Sequence, residues 1–228
     1  DYLGTGIGQL PSVGTGGEPE LDLVAQSRPD LILGSAVDSD LYAQLGDIAP
    51  NVTVGTDPVF WRDQFLRVGD TLGRRVAAQQ VLDAYSAEAA DTGRALASSQ
   101  TQASIVRFTG DGPVVEGTAS FAGQVLADTG AARPPAQRFG VVDGRSYQAV
   151  DTDDPAVADA DVIIVRFDGD AGLENGTEYM KTDQWLDLGA VSDSRLFAVT
   201  DEVWSTPGPV AARAVLADLK VALNGYSN

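Results

Sequence analysis

Short apolar runs alternate with amphipathic stretches along this chain, and that alternation predicts an α/β architecture. Asp30-Leu31-Ile32-Leu33-Gly34 reads as a buried strand closed by glycine. Before it, Pro19 to Gln26 places Leu21, Val24 and Ala25 on one helical face, and after it Asp38 to Leu45 forms a second short helix. Asn51-Val52-Thr53-Val54 is the next strand. A strand–helix–strand unit of this kind pairs its strands in parallel. From Trp61 to Ser98 the pattern is helical: Phe65, Val68 and Leu72 share one face, and Val81, Leu82, Tyr85 and Ala89 continue the spacing. Gly73 marks a break between two helices. The second, from about Arg74 to Ser98, would be about 35 Å long, more than either half needs, and reads as a spine between two lobes.

Beyond it the rhythm restarts. Ala103 to Phe108 is a strand, with Pro113-Val114-Val115 as its hairpin partner. Phe121 to Asp128 is a helix closed by Gly130, Asp161 to Val165 and Leu196 to Val199 are strands, and Pro209 to Leu223 is a final helix stopped by Asn224-Gly225. The expected fold class is therefore two α/β lobes joined by a single long helix. The N-terminal lobe covers 1–73, the connecting helix 74–98 and the C-terminal lobe 99–228.

Composition changes this picture mainly by exclusion. The net charge of −18 argues against nucleic acid and anionic membrane surfaces as partners. The chain contains neither Cys nor His, which removes thiol catalysis, His-based triads, Fe–S clusters and zinc sites of the usual ligand types. No apolar run is long enough to span a bilayer. Of the 15 basic residues only Lys181 and Lys220 are lysines. The rest are arginines, whose planar fork suits oxygen anions.

In an open parallel sheet, ligands gather at the carboxyl ends of the strands. That rule selects Arg107 and Phe108 after the Ala103 strand, Arg166 and Phe167 after the Asp161 strand, Trp204 beyond the Leu196 strand, and Phe60 and Trp61 beyond the Asn51 strand. Tyr147, in a polar loop, is a further candidate. Each has a structural alternative. Arg107 and Arg166 have many carboxylates to pair with, Trp204 is equally placed to plug the C-terminal lobe, and Trp61 to pack at a helix start.

Several segments, taken together and in order, resemble the siderophore and cobalamin class of periplasmic substrate-binding proteins. They are Gly17-Glu18-Pro19-Glu20-Leu21-Asp22-Leu23-Val24 with Arg28-Pro29-Asp30-Leu31-Ile32-Leu33-Gly34; Ile48-Ala49-Pro50 with Trp61 and Asp70-Thr71-Leu72-Gly73; Phe121 to Gly130 with Arg133-Pro134; Asp159-Ala160-Asp161-Val162-Ile163; and Trp204 with Gly208-Pro209 and Ala211-Ala212. In that class a further strand–helix unit precedes a segment like Asp1-Tyr2, so the N-terminal lobe is expected to lack its first unit.

The resemblance implies a ligand trap rather than an enzyme. A ferric siderophore would be held in a cleft between the lobes by Arg107, Arg166, Trp204, Trp61, Phe108 and Tyr147, and delivered to an ABC permease. The siderophore supplies every donor to its iron, so no cofactor or protein metal ligand is required. Asp22 and Asp153 align with the acidic residues that dock on the permease. A periplasmic or cell-surface monomer, free or lipid-anchored through a segment outside this sequence, is implied, and the rigid spine implies a small lobe rotation on binding. Haem or a corrinoid on the same fold is the alternative ligand, although haem would need Tyr in place of an axial His. A hydrolytic enzyme would lack both a Gly-x-Ser-x-Gly elbow and a triad histidine. Gly4-Thr5-Gly6-Ile7-Gly8 lacks the correctly spaced third glycine of a dinucleotide loop, and no strand precedes it in this sequence.

Overall fold

The computed structural model describes residues 10–15, 18–35 and 37–223. The Gly4–Gly8 stretch, Gly17 and the Asn224-Gly225 helix stop lie outside the described residues. The chain forms two compact units, Asp1–Leu82 and Asp83–Asn228.

In the first unit, β1 (Gly14–Thr15) and β2 (Glu18–Pro19) make a small antiparallel pair. There follow α1 (Leu21–Ser27), β3 (Ile32–Gly34), α2 (Ser39–Ile48), β4 (Asn51–Thr53) and α3 (Trp61–Thr71). β3 and β4 pair in parallel, as the strand–helix–strand pattern requires. Helix α1 ends at Arg28, whose left-handed backbone (φ 48°) is followed by Pro29. Asp38 starts α2 by accepting hydrogen bonds from the amides of Asp40 and Leu41 at 3.0 and 2.8 Å. Gly73, at φ 64°, separates α3 from α4 (Arg75–Ala95). The unit holds a cavity of about 440 Å³ whose lining includes Val24, Ile32, Leu45 and Val52.

Helix α4 carries the chain into the second unit, which contains β5 (Ala103–Thr109), β6 (Gly112–Glu116), α5 (Phe121–Asp128), β7 (Tyr147–Ala149), β8 (Val162–Phe167), α6 (Gly169–Tyr179), α7 (Asp183–Leu186), α8 (Gly189–Ser192), β9 (Leu196–Ala198), α9 (Asp201–Ser205) and α10 (Pro209–Leu223). One five-stranded sheet runs β7-β6-β5-β8-β9. β5, β8 and β9 are parallel, whereas β6 and β7 are antiparallel additions on one side. Tyr147 therefore belongs to an edge strand, not to the loop the sequence suggested, because its main chain pairs with Glu116.

Side chains alternate between the two faces of a strand. One face of this sheet carries Val106, Phe108, Val115, Ile163 and Val165, which are packed with Trp185 and Leu188 in a hydrophobic core. Helix α6 reaches that core closely because Gly172 and Gly176, one turn apart, face β5. A Cβ on Gly172 would strike the Phe108 carbonyl, and one on Gly176 would lie 2.7 Å from ring carbons of Phe108 and Phe167. Behind the sheet, Phe121, Val125 and Leu126 of α5 and Val215, Leu216 and Leu219 of α10 are buried. Tyr85 of α4 is wholly buried, and its hydroxyl donates to Asp128 Oδ2 at 2.6 Å.

Candidate functional site

The register of β5 against β8 decides which residues can form a site. Arg107 lies opposite Arg166 and Phe108 opposite Phe167. Two Arg-Phe pairs in register put both guanidinia on one face and both rings on the other. The antiparallel partners extend the polar face, since Arg107 is opposite Val114, two residues before Glu116, and Glu116 is opposite Tyr147. Arg107, Arg166, Glu116 and Tyr147 thus converge at the end of the sheet where parallel α/β folds bind ligands.

The charges there are closely matched. Glu116, only 3% exposed, accepts from Arg166 Nε at 3.0 Å and also from Arg166 Nη2. Its same oxygen, Oε1, lies 3.5 Å from Arg107 Nε, an ion pair without a formed hydrogen bond. Arg166 donates its Nη1 to Asp201 at the start of α9, and Arg107 donates its Nη1 to Asp168 at 3.0 Å. Burial alone would lower the Arg166 pKa, but the carboxylates of Glu116 and Asp201 outweigh it and hold the value above the ordinary arginine range. Arg166 is therefore a fixed cation locked between two acids.

Arg133 braces the cluster from below by donating to the main-chain oxygen of Glu116 and, at 2.8 Å, to Gln137 Oε1. Burial pushes its pKa down to about 10, with Glu116 opposing the fall. Gln137 in turn donates to Ser104 Oγ at 2.7 Å and to the Val157 carbonyl at 2.9 Å. The Arg133-Pro134 element of the sequence is thus a structural brace beneath Glu116.

Accessible surface at the cluster comes from Asp168, Arg107, Tyr147 and Arg145. The Arg107 guanidinium lies 4.8 Å from the Tyr147 ring centroid, and that of Arg145 lies 5.9 Å from it. Side-chain exposure is 17% at Arg107 and 52% at its partner Asp168, but 7% at Arg166.

Three expected ligand contacts are corrected. Phe108 is fully buried, stacked on Phe167 at 5.5 Å between centroids and met edge-on by Trp185 at 5.5 Å. The cause is strand length: β5 runs on to Thr109, so Phe108 is not a strand-end residue but the inward neighbour of Arg107. Trp204 is 1% exposed and donates its indole N–H to Asp218 Oδ2 at 2.8 Å, which fixes it against α10. Trp61 is 2% exposed at the start of α3, with the Arg62 guanidinium 4.3 Å over its ring. Sequence reasoning missed Glu116 and Asp168. Glu116 ends an apolar strand on the same parity as Val114, and that parity was the available signal.

Asp22, in the first turn of α1, and Asp153, in the loop before β8, are both exposed. The Asp153 amide donates to Asp151 Oδ1 at 3.0 Å. Among the described residues, no group of three or more His, Cys, Asp or Glu is placed to hold a metal ion, and no helix is long and apolar enough to cross a membrane.

A family model described as periplasmic binding protein matches residues 3–203. The chain belongs to that family. This periplasmic binding protein is 27% identical over 227 residues to "Probable siderophore-binding lipoprotein YfiY" of Bacillus subtilis, an overlap of 96% of this chain and 70% of the relative. Among solved structures it is similar to Staphylococcus aureus SirA complexed with staphyloferrin B, with a TM-score of 0.75, 26% identity, and coverage of 93% of this chain and 77% of SirA. Unliganded FhuD2 from S. aureus shares the fold at a TM-score of 0.79 and 18% identity, over 92% of this chain and 81% of that one.

Proposed function

We propose that this periplasmic binding protein captures a ferric siderophore outside the cytoplasm and presents it to the permease of an ABC importer. The observation that carries the reading is the partly exposed Arg107 guanidinium beside the Tyr147 ring, at the carboxyl end of parallel strands in a chain of this family. The siderophore-binding description of YfiY and the staphyloferrin B held by SirA support it.

A siderophore wraps its iron completely, so recognition falls on its outer oxygen shell and its organic skeleton. Arg107 donates N–H groups to those oxygens, and Tyr147 offers a flat wall. Arg166 acts at one remove by holding Glu116, which in turn orients Arg107. In this scheme the protein binds and releases its ligand unchanged, without catalysis. Asp22 and Asp153, one on each unit, are the acidic residues that meet basic pockets of the permease.

Titration of intrinsic tryptophan fluorescence tests the reading. A ferric siderophore absorbs where tryptophan emits, so even buried indoles are quenched when it binds. Saturable quenching by a ferrated siderophore is expected. Absence of quenching by hydroxamate, catecholate and carboxylate complexes alike would refute it.

A further inference from the structure

Two arginines at the end of a sheet invite the assumption of an anionic ligand. The structure shows both already answered. Arg166 is held by Glu116 and Asp201, and Arg107 by Asp168 and, at 3.5 Å, Glu116. Two guanidinia therefore meet three carboxylates. Arg133, beneath the Glu116 main chain, is itself buried, and Arg138 and Arg145 lie further out, Arg138 with its Nε on the Arg133 carbonyl at 2.9 Å and Arg145 beside Tyr147. The rung itself therefore offers a ligand no net positive charge, on a chain whose net charge is −18.

A trianionic tris-catecholate complex needs several unpaired cations to replace the water it loses, and a strongly acidic protein repels it at long range. A tris-hydroxamate complex is neutral or cationic and needs hydrogen-bond donors rather than net charge. Arg107 provides those through the 17% of its side chain that is exposed, while its charge is balanced.

Resting on the siderophore reading above, we infer that the ligand is a ferric complex without net negative charge, of the tris-hydroxamate type, and that Glu116 and Asp168 set this preference by neutralising Arg107 and Arg166. Glu116 and Asp168 are thus specificity determinants that touch the arginines rather than the ligand.

The test compares cationic ferrioxamine B and neutral ferrichrome with trianionic ferri-bacillibactin by isothermal titration calorimetry on the whole chain. Either hydroxamate complex is expected to bind at least about tenfold more tightly than ferri-bacillibactin. Asp168→Asn frees Arg107 at an exposed position that does not endanger folding. This variant should gain about five- to tenfold affinity for ferri-bacillibactin with no gain for ferrioxamine B. Glu116→Gln, if it folds, should move the same way. Equal or tighter binding of ferri-bacillibactin by the unmodified protein, or no change in selectivity in Asp168→Asn, overturns the inference while leaving siderophore capture intact. If none of the three complexes binds, the inference fails, and titration with a ferric carboxylate complex then decides whether siderophore capture fails with it.

Discussion

Arg107 and Arg166 occupy the same rung of two parallel strands, and a single oxygen of Glu116 lies between them. Like charges side by side on a sheet repel, so this rung is tolerable only with the carboxylate in place. Glu116→Ala is therefore expected to destabilise the protein by about 3–5 kcal/mol, the usual range when one member of a buried ion pair is removed. Urea denaturation would show the midpoint falling sharply. A fall no larger than that of an exposed-pair variant such as Arg94→Ala would mean that the rung does not depend on Glu116.

Arg107 and Trp204 should separate binding from stability. Arg107→Ala removes donors from an accessible position and should weaken siderophore binding by about 1.5–3 kcal/mol, with little change in melting temperature. Trp204→Phe should leave affinity unchanged and lower stability by about 1–3 kcal/mol, because Asp218 loses its indole donor. Parallel calorimetric titrations and thermal melts check both, and a binding defect in Trp204→Phe would restore that residue to the ligand site.

Gly176 tests the tight seat of α6 on the aromatic core. Gly176→Ala drives a methyl group into Phe108 and Phe167, and a destabilisation of about 1–3 kcal/mol is expected from overpacking. Ala at Gly140, where a Cβ would meet nothing within 4 Å, is the control and should be nearly neutral.

Docking is tested by charge reversal. Asp22→Lys and Asp153→Lys should each leave ligand affinity in solution unchanged while reducing uptake of iron from the siderophore in cells, and the double variant should reduce it further. Uptake unaffected by both changes would remove these residues from the permease contact.

Alkaline pH offers a test of the Tyr179 environment. Burial, then Asp151 and Asp153, raise the Tyr179 pKa above its ordinary 10.0, and its hydroxyl donates to the Thr152 carbonyl at 3.1 Å. The unfolded chain then loses this proton at lower pH than the folded one, so the contribution is complete below pH 10 and declines as pH rises through the folded value. Tyr179→Phe should flatten the loss of stability above pH 10, measured as melting temperature against pH.

The sequence made the larger elements legible. Phe121–Asp128 and Pro209–Leu223 are helices over those very residues, and Gly73 does separate α3 from α4. Helix α6 escaped notice because glycines at 169, 172 and 176 lower helix propensity, and here they are kept for close packing rather than for helix strength. β7 escaped because three residues are too few to show alternation, and its pairing with β6 is a tertiary fact. At the site, the arginines were visible and their partners were not. Locating a strand's end to within two residues decides whether Phe108 points toward ligand or core, and hydrophobic pattern alone does not resolve that.

The doubled Arg-Phe step also guards the alignment of the fold itself. Slide β8 by one position along β5 and Arg166 would enter the cluster of Phe108 and Trp185, while Phe167 would turn toward Glu116. Each displaced residue would be penalised, one for a charge stranded in hydrocarbon and the other for leaving a carboxylate unanswered. The same dipeptide written twice, 59 positions apart, thus serves as a proofreading mark for strand assembly.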